Sequence, residues 1–213
     1  AIRQYKLERD YKTRLLKFKA GCLAHFAMDL NEVYMCTNLK GKSSFFLPFN
    51  KGCGVGIHSG KGNPHNENGI NVSYMWEDIL KKDTVLYLID KIIFLQKETK
   101  KDPDTGKRVT KETLIFPRYH QFNAVRKLVA DVVEHHSEKN YLIEHSAGSG
   151  KTNTIAWLAH RFASLHDREN KVIFDTVCII TDRIVVDRQL QNAVLSLEHK
   201  AGLIKVMDEK CTS

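Results

Sequence analysis

Apolar positions in the first half of the chain fall in short runs separated by turn residues. CLAHFAM (Cys22–Met28) and EVYMCTN (Glu32–Asn38) flank Asp29-Leu30-Asn31, and SSFFLPF (Ser43–Phe49) follows a turn at Leu39-Lys40-Gly41-Lys42. Runs of this length between tight turns predict three strands in an antiparallel meander. Ahead of them lies a charged segment in which Ile2, Tyr5 and Arg9 share one face, as a helix requires. Asn50–Gly69 is rich in Gly and Asn and reads as a surface loop. From Tyr74 to Glu98 apolar residues recur at helical spacing, predicting two short helices broken near Lys82-Asp83. Lys97–Glu112 holds almost nothing apolar and carries Asp-Pro and Thr-Gly breakers, so it is a hairpin tip or a linker.

From Leu114 the texture changes. Arg118–His136 predicts a helix, Tyr141–His145 a strand, Lys151–Leu165 a helix, and the fully apolar Val177–Ile180 another strand. Strands alternating with helices, and apolar on both faces, predict a parallel sheet. The expected fold class is therefore α/β, with a meander plus helices over residues 1–112 and a partial parallel α/β domain over 113–213. No internal repeat is evident.

Composition narrows the class. At 213 residues, with 42% hydrophobic and 27% charged, the chain can bury a core and has the profile of a globular protein. A net charge of +8, spread along the chain, favours a polyanionic partner or a solubilising basic surface. Five cysteines without a CxxC pair argue against a disulfide framework and for a reducing, cytoplasmic setting. No apolar run approaches the roughly 18 residues that span a bilayer, and the charged N-terminus lacks a signal core. The chain starts at Ala1 without an initiator Met and reads as a piece of something longer.

The chemistry concentrates in Ser146-Ala147-Gly148-Ser149-Gly150-Lys151-Thr152, between a predicted strand and a predicted helix. That context suits a phosphate-binding loop. Gly148 and Gly150 permit backbone angles that aim successive N–H groups at one anion, and the helix opening at Lys151 adds its free N–H groups and positive dipole end. Lys151 would bridge the β- and γ-phosphates of ATP, and the Thr152 hydroxyl would ligate Mg²⁺. Ala147, Ser149 and Asn153 complete the candidate cradle. The segment fits GxxxxGK[ST] at its last three positions and carries His145 in place of the first Gly. A Gly-Ser loop capping a helix is the plainer alternative.

The flanking segments resemble a known family. FPRYHQFNAVRKLV (Phe116–Val129) looks like the adenine-recognition segment of superfamily-two helicases, and IITDRIVVDRQL (Ile179–Leu190) resembles a later motif of theirs. FFLPFNKG (Phe45–Gly52), GNP (Gly62–Pro64) and YMWEDILKKD (Tyr74–Asp83) are similar to the linking region of the restriction (R) subunit of type I restriction–modification enzymes. In that family His in place of the first loop Gly is expected. The resemblance implies an endonuclease domain ending near residue 112, followed by the start of a RecA-like, ATP-driven motor that translocates double-stranded DNA. It also implies methyltransferase (modification) and specificity subunits as partners. Gln121 would then read the adenine edge and Arg118 stack on its ring, with Phe116 and Tyr119 lining the base or packing. Arg183 would touch a DNA phosphate, or would be solvated behind a helix cap at Asp182; Thr181 and Asp187 are neighbouring candidates.

Other features weigh against activity of this piece alone. The family's nuclease carboxylates (an Asp followed by Glu-x-Lys) do not precede the meander; Tyr5 is a candidate for a supporting aromatic motif or for packing. LIKVMDEK (Leu203–Lys210) mimics half of the Asp-Glu-x-His motor motif, and Asp208 and Glu209 read as solvated turn charges. Among Cys22, His25, Cys36, Cys53, His58 and His65, only Cys22-x-x-His25 has zinc-like spacing, and strand alternation turns those two apart. Lys51, His58, Lys61 and His65 could meet a phosphate backbone from a surface loop. The apolar face of Trp76, Ile79, Leu80, Leu86, Ile89, Ile93 and Phe94 is core, or a docking face for the methyltransferase subunit. Two rivals remain: a stand-alone phosphate-loop ATPase or kinase, and a non-catalytic nucleic-acid-binding module.

Overall fold

The computed structural model describes residues 1–53, 61–102, 105–136, 138–182, 184–197 and 204–205. They form two compact units, Ala1–His120 and Gln121–Ser213.

The first unit opens with helix α1 (Ile2–Leu7) and a three-stranded antiparallel sheet ordered β1 (His25–Met28), β2 (Val33–Cys36), β3 (Leu47–Pro48). The β1–β2 turn is set by Asp29, whose Oδ1 accepts the N–H groups of Asn31 and Glu32, each at 2.8 Å. This is a side-chain-closed turn that a short acidic residue makes readily. Pairing runs from His25 opposite Cys36 to Met28 opposite Val33, so the predicted meander forms with shorter strands than the apolar runs. After the loop come a π-helical turn (Met75–Ile79), helix α2 (Lys82–Tyr87) and a second π-helical turn (Leu88–Ile92).

The core of this unit is aromatic. Phe49 is fully buried, and its ring centre lies 5.7–5.9 Å from those of Phe26, Phe116 and Tyr119, all edge-on. Tyr119 in turn meets Tyr74 at 5.2 Å, and the Tyr74 hydroxyl donates to the Phe49 carbonyl at 2.7 Å. Burial pushes the Tyr74 phenol well above its ordinary range. Buried Asn63 ties the loops to this core: its Nδ2 donates to Asn31 O (2.7 Å) and Asn50 Oδ1 (3.0 Å), while its Oδ1 accepts from Lys51 N (2.8 Å). Three bonds on one amide satisfy most of its capacity, which is why a polar group is tolerated there.

Burial also lowers the His25 pKa below 6.5. The unfolded chain therefore takes up a proton that the folded unit resists. The resulting stability is present above pH 6.5 and is lost as pH falls through the folded value. Melting curves between pH 7.5 and 5 are expected to show a steeper loss of Tm for the native chain than for His25→Gln. Parallel curves would contradict a buried neutral imidazole.

From Phe94 the structure departs from the helical pattern. Phe94–Lys101 is strand β4, paired antiparallel with β5 (Arg108–Ile115) in a two-stranded ribbon, so Lys97–Glu112 is a hairpin and no linker. Ile92, Ile93, Phe94 and Leu95 form a continuous apolar run, which fits helix and strand alike. The partner strand decides for β.

The second unit is built on α3 (Tyr119–His135), α4 (Lys151–Ala163) and α5 (Ile184–Ser196). Trp157 and Ala156 of α4, and Leu190, Ala193 and Val194 of α5, are buried, with His160 Nε2 2.7 Å from the Val194 carbonyl oxygen. Tyr141–His145 and Val177–Ile180, read as parallel strands from sequence, form no strand, and the described residues contain no parallel sheet. Leu142 and Ile180 are each 92% exposed. A strand apolar on both faces is stable only inside a covered sheet; the described residues supply no such neighbour.

Candidate functional site

The phosphate-loop candidate is organised by its backbone. Gly148 (φ 73°) and Gly150 (φ 88°) both occupy the left-handed region, which residues with a Cβ rarely adopt. At Gly148 an added Cβ would meet nothing within 4 Å, so the space over the loop is open. Gly150 is the N-cap of α4 and offers no side-chain cap; Asn153 N bonds the Gly150 carbonyl at 3.1 Å, and the N–H groups of Lys151 and Thr152 face the loop end of the helix. The Lys151 ammonium folds back on the loop, donating to the carbonyls of His145 (2.7 Å) and Ser146 (3.0 Å). Thr152 and Asn153 are half-buried at the first turn, Ser149 is buried, and Ala147 is exposed.

A residue 29 positions away completes the loop. Buried Gln121 donates from Nε2 to the Gly150 carbonyl at 2.8 Å, and a Cβ at residue 150 would lie 2.5 Å from that nitrogen. Gly150 is favoured by its backbone angle, and a side chain there would also push the end of Gln121 off its bond to the loop. Sequence reading assigned Gln121 to a base edge and gave no sign of this second bond.

Thr154, one turn into α4, is 2% exposed, and its Oγ1 is buried without a hydrogen-bond partner among the described residues. A helical Thr ordinarily turns its hydroxyl to the carbonyl four residues back. Here that carbonyl, Gly150 O, already accepts from Gln121 Nε2, Asn153 N (3.1 Å) and Thr154 N (3.4 Å). Thr154→Val removes the stranded hydroxyl while keeping the branched shape, and is expected to stabilise the unit by about 1 kcal/mol in urea unfolding. A loss of stability of that size would show that the hydroxyl is bonded in solution.

The approach to the loop is pinned to α3. Asp131 accepts from the Tyr141 hydroxyl at 2.6 Å and lies 3.4 Å from Lys139 Nζ and 3.3 Å from His135 Nδ1. The Tyr141 bond holds the Asp131 carboxyl below its usual range, and the carboxylate pushes the Tyr141 phenol up to about 12.

The other candidates are dispersed. Arg118 is half-buried just ahead of α3, in the first unit. Phe116 and Tyr119 are packing residues of the aromatic core. Tyr5 stacks obliquely on His25 and Phe46, also as packing. Asp187 accepts from Gln191 Nε2 (2.7 Å) and Thr181 Oγ1 (3.3 Å), while Asp182 is exposed. Arg183, His58, Asp208 and Glu209 lie outside the described residues. Lys51 sits over the Tyr74 ring at 4.9 Å, and Lys61 and His65 are exposed. Of the apolar stretch after Tyr74, Ile79 and Ile92 are core, whereas Trp76, Leu80, Leu86 and Ile89 are about half exposed. Leu80 and Ile89 line an apolar groove of about 220 Å³ together with Leu23, Phe26, Val85 and Phe116. Among the described residues, no cluster of three or more His, Cys, Asp or Glu could share a metal ion, and no helix is long and apolar enough to cross a membrane.

The loop carries backbone N–H groups, the Lys151 ammonium and the hydroxyls of Ser146, Ser149 and Thr152, donor types that can bind an anion. The SWI2/SNF2 ATPase family model matches residues 120–209. Two proteins of Methanocaldococcus jannaschii carry the names of type I restriction enzyme endonuclease subunits, MjaVIIIP and MjaVIIP. The first is 28% identical over 150 residues, covering 64% of this chain and 14% of its own length. The second is 30% identical over 125 residues, covering 57% of this chain and 11% of its own length. The chain thus spans about an eighth of the curated relatives it matches. No solved structure gives a significant match.

Proposed function

We infer, for a chain related to the endonuclease subunits of type I restriction enzymes and carrying a SWI2/SNF2 ATPase segment, that it supplies the nucleotide-binding loop of an ATP-driven DNA translocase. The observation that carries this reading is the left-handed Gly148–Gly150 loop running into an uncapped helix, with Lys151 close enough to bond two loop carbonyls. In this reading the loop N–H groups and Lys151 hold the β- and γ-phosphates, and Thr152 ligates Mg²⁺. ATP hydrolysis would supply the free energy for moving DNA. Gln121 positions the loop through Gly150; on the family resemblance it would also read the adenine edge, and Arg118 is the candidate to stack on the ring. The exposed apolar segments Tyr141–His145 and Val177–Ile180 are the natural strands of a RecA-like parallel sheet. Arg183 would face a DNA phosphate.

The intact subunit would work with duplex DNA and with methyltransferase and specificity subunits in the cytoplasm; the half-exposed Trp76–Ile89 face is a docking surface for the former. Residues 1–112 would close the nuclease domain and 113–213 begin the motor. Without nuclease and water-orienting carboxylates, the chain by itself binds nucleotide and does not turn it over.

A titration with a fluorescent ATP analogue and Mg²⁺ tests this: saturable, Mg²⁺-dependent binding is expected, with no phosphate release even with duplex DNA present. Salt-dependent DNA binding with no nucleotide binding would favour a non-catalytic nucleic-acid module. Phosphate release that Lys151→Ala abolishes would favour a self-sufficient ATPase.

A further inference from the structure

The β4–β5 ribbon is a feature that nucleotide binding does not use. It pairs eight residues with eight, from Phe94 opposite Ile115 to Lys101 opposite Arg108, a length of about 26 Å at ~3.3 Å per residue. Its root is fixed: Phe94 is buried, and Phe116, just beyond β5, sits in the aromatic core. Lys19 donates to Glu112 at 2.6 Å as a second tether. Beyond the root, both faces of the ribbon are exposed.

The charges sort by position. Glu112 is engaged with Lys19 and Lys97, and Glu98 with Lys100 at 3.7 Å. Asp102 closes the turn by accepting the Thr105 N–H (2.7 Å) and hydroxyl (2.8 Å). Lys101, Lys107 and Arg108 remain at the tip, exposed and in no ion pair among the described residues. Lys101 and Arg108 stand directly opposite each other, an arrangement that costs a ribbon stability. Charged side chains do protect exposed strand edges from aggregation, but that role does not require like charges in one cross-strand pair, and the basic residues outnumber Asp102 and Asp104 over the tip.

We propose that this ribbon is an arm that lays Lys101, Lys107 and Arg108 on the sugar–phosphate backbone of duplex DNA. The inference rests on the reading of the chain as part of a DNA translocase, and it adds a contact outside the nucleotide-binding unit. Shape and composition select the partner. A two-stranded ribbon fits the major groove of B-form DNA, whereas the deep, narrow groove of an RNA duplex excludes it. Residues 96–113 contain no aromatic side chain on which single-stranded bases could stack. Val109 alone is an exposed large apolar residue on the ribbon, too little to enter a lipid interface.

The test is fluorescence anisotropy of the full chain with a labelled random-sequence duplex across a salt series, for the native chain and for Lys101→Gln/Lys107→Gln/Arg108→Gln. The triple variant should lose affinity, and its log–log salt slope should fall by about 3, roughly one per phosphate contact removed. Its Tm should be equal or higher, because the opposed charges are gone. An unchanged slope overturns the arm, as does equal binding to single strands or to phosphatidylserine vesicles with the same dependence on the three residues. ATP-analogue binding on the same samples separates the two readings. A tip-dependent slope without nucleotide binding leaves the arm standing and the motor reading lost; nucleotide binding with an unchanged slope does the reverse.

Discussion

Lys151→Ala is expected to weaken binding of an ATP analogue on the order of 100-fold while leaving the fold intact. The ammonium is exposed and, among the described residues, bonds the His145 and Ser146 carbonyls, both of which water can satisfy, so its removal costs the ligand-free loop little. With a triphosphate present, the same group would make charge-assisted bonds to phosphate oxygens. Hydrogen bonds to charged groups contribute about 1.5–3 kcal/mol each, and about 1.4 kcal/mol is tenfold in affinity. Loss of one or two such bonds gives the stated factor. Lys151→Arg should recover part of the binding, since it restores the charge but replaces a compact donor with a planar fork. Affinity within twofold of the native chain for Lys151→Ala, at unchanged Tm, would remove the lysine from the site.

Phe49→Ala should be the most damaging single change to the first unit. The ring is fully buried at the centre of the aromatic core, against Phe26, Phe116 and Tyr119. Large-to-small changes of this kind cost about 3–5 kcal/mol, through lost transfer energy and a cavity that rigid neighbours fill poorly. Aromatic pairs add about 0.5–1.5 kcal/mol each to area burial. Against a typical domain stability of about 5–15 kcal/mol, much of the folding free energy would go. Phe49→Leu should retain more than half of it. The backbone bonds, Phe49 N to Val33 O (2.8 Å) and Tyr74 hydroxyl to Phe49 O, survive either substitution, so the loss measured by denaturant unfolding reports the ring itself. A cost below 1 kcal/mol would mean that the ring is not packed as described.

What the sequence disclosed was local. The meander followed from short apolar runs around an Asp that closes its own turn. The loop and α4 followed from two glycines, a lysine and a 3.6-residue period, all within twenty positions. The resemblance to type I restriction subunits, carried by quoted segments through most of the chain, is matched by its relatives. What stayed hidden depends on partners distant in sequence. Phe94–Leu95 turned from helix to strand because Leu114–Ile115 lies opposite, and Tyr141–His145 and Val177–Ile180 lack the neighbours that make apolar runs into strands. The roles of Phe116 and Tyr119 were undecided until Phe49 supplied the surface they pack on. The Gln121–Gly150 bond left no trace in either local pattern, since a buried glutamine on a helix face looks the same whatever accepts from it.

That bond carries a consequence for how such chains can diverge. A Cβ at residue 150 would lie 2.5 Å from the carboxamide nitrogen, so an alanine there makes the end of the Gln121 side chain swing away and give up its bond to the loop, on top of the strain of a φ of 88°. Shortening residue 121 first removes the obstacle and also the prop beneath the loop. The two positions are therefore coupled through one hydrogen bond: a side chain at residue 150 is expected to be better tolerated where residue 121 is short than where it is a glutamine.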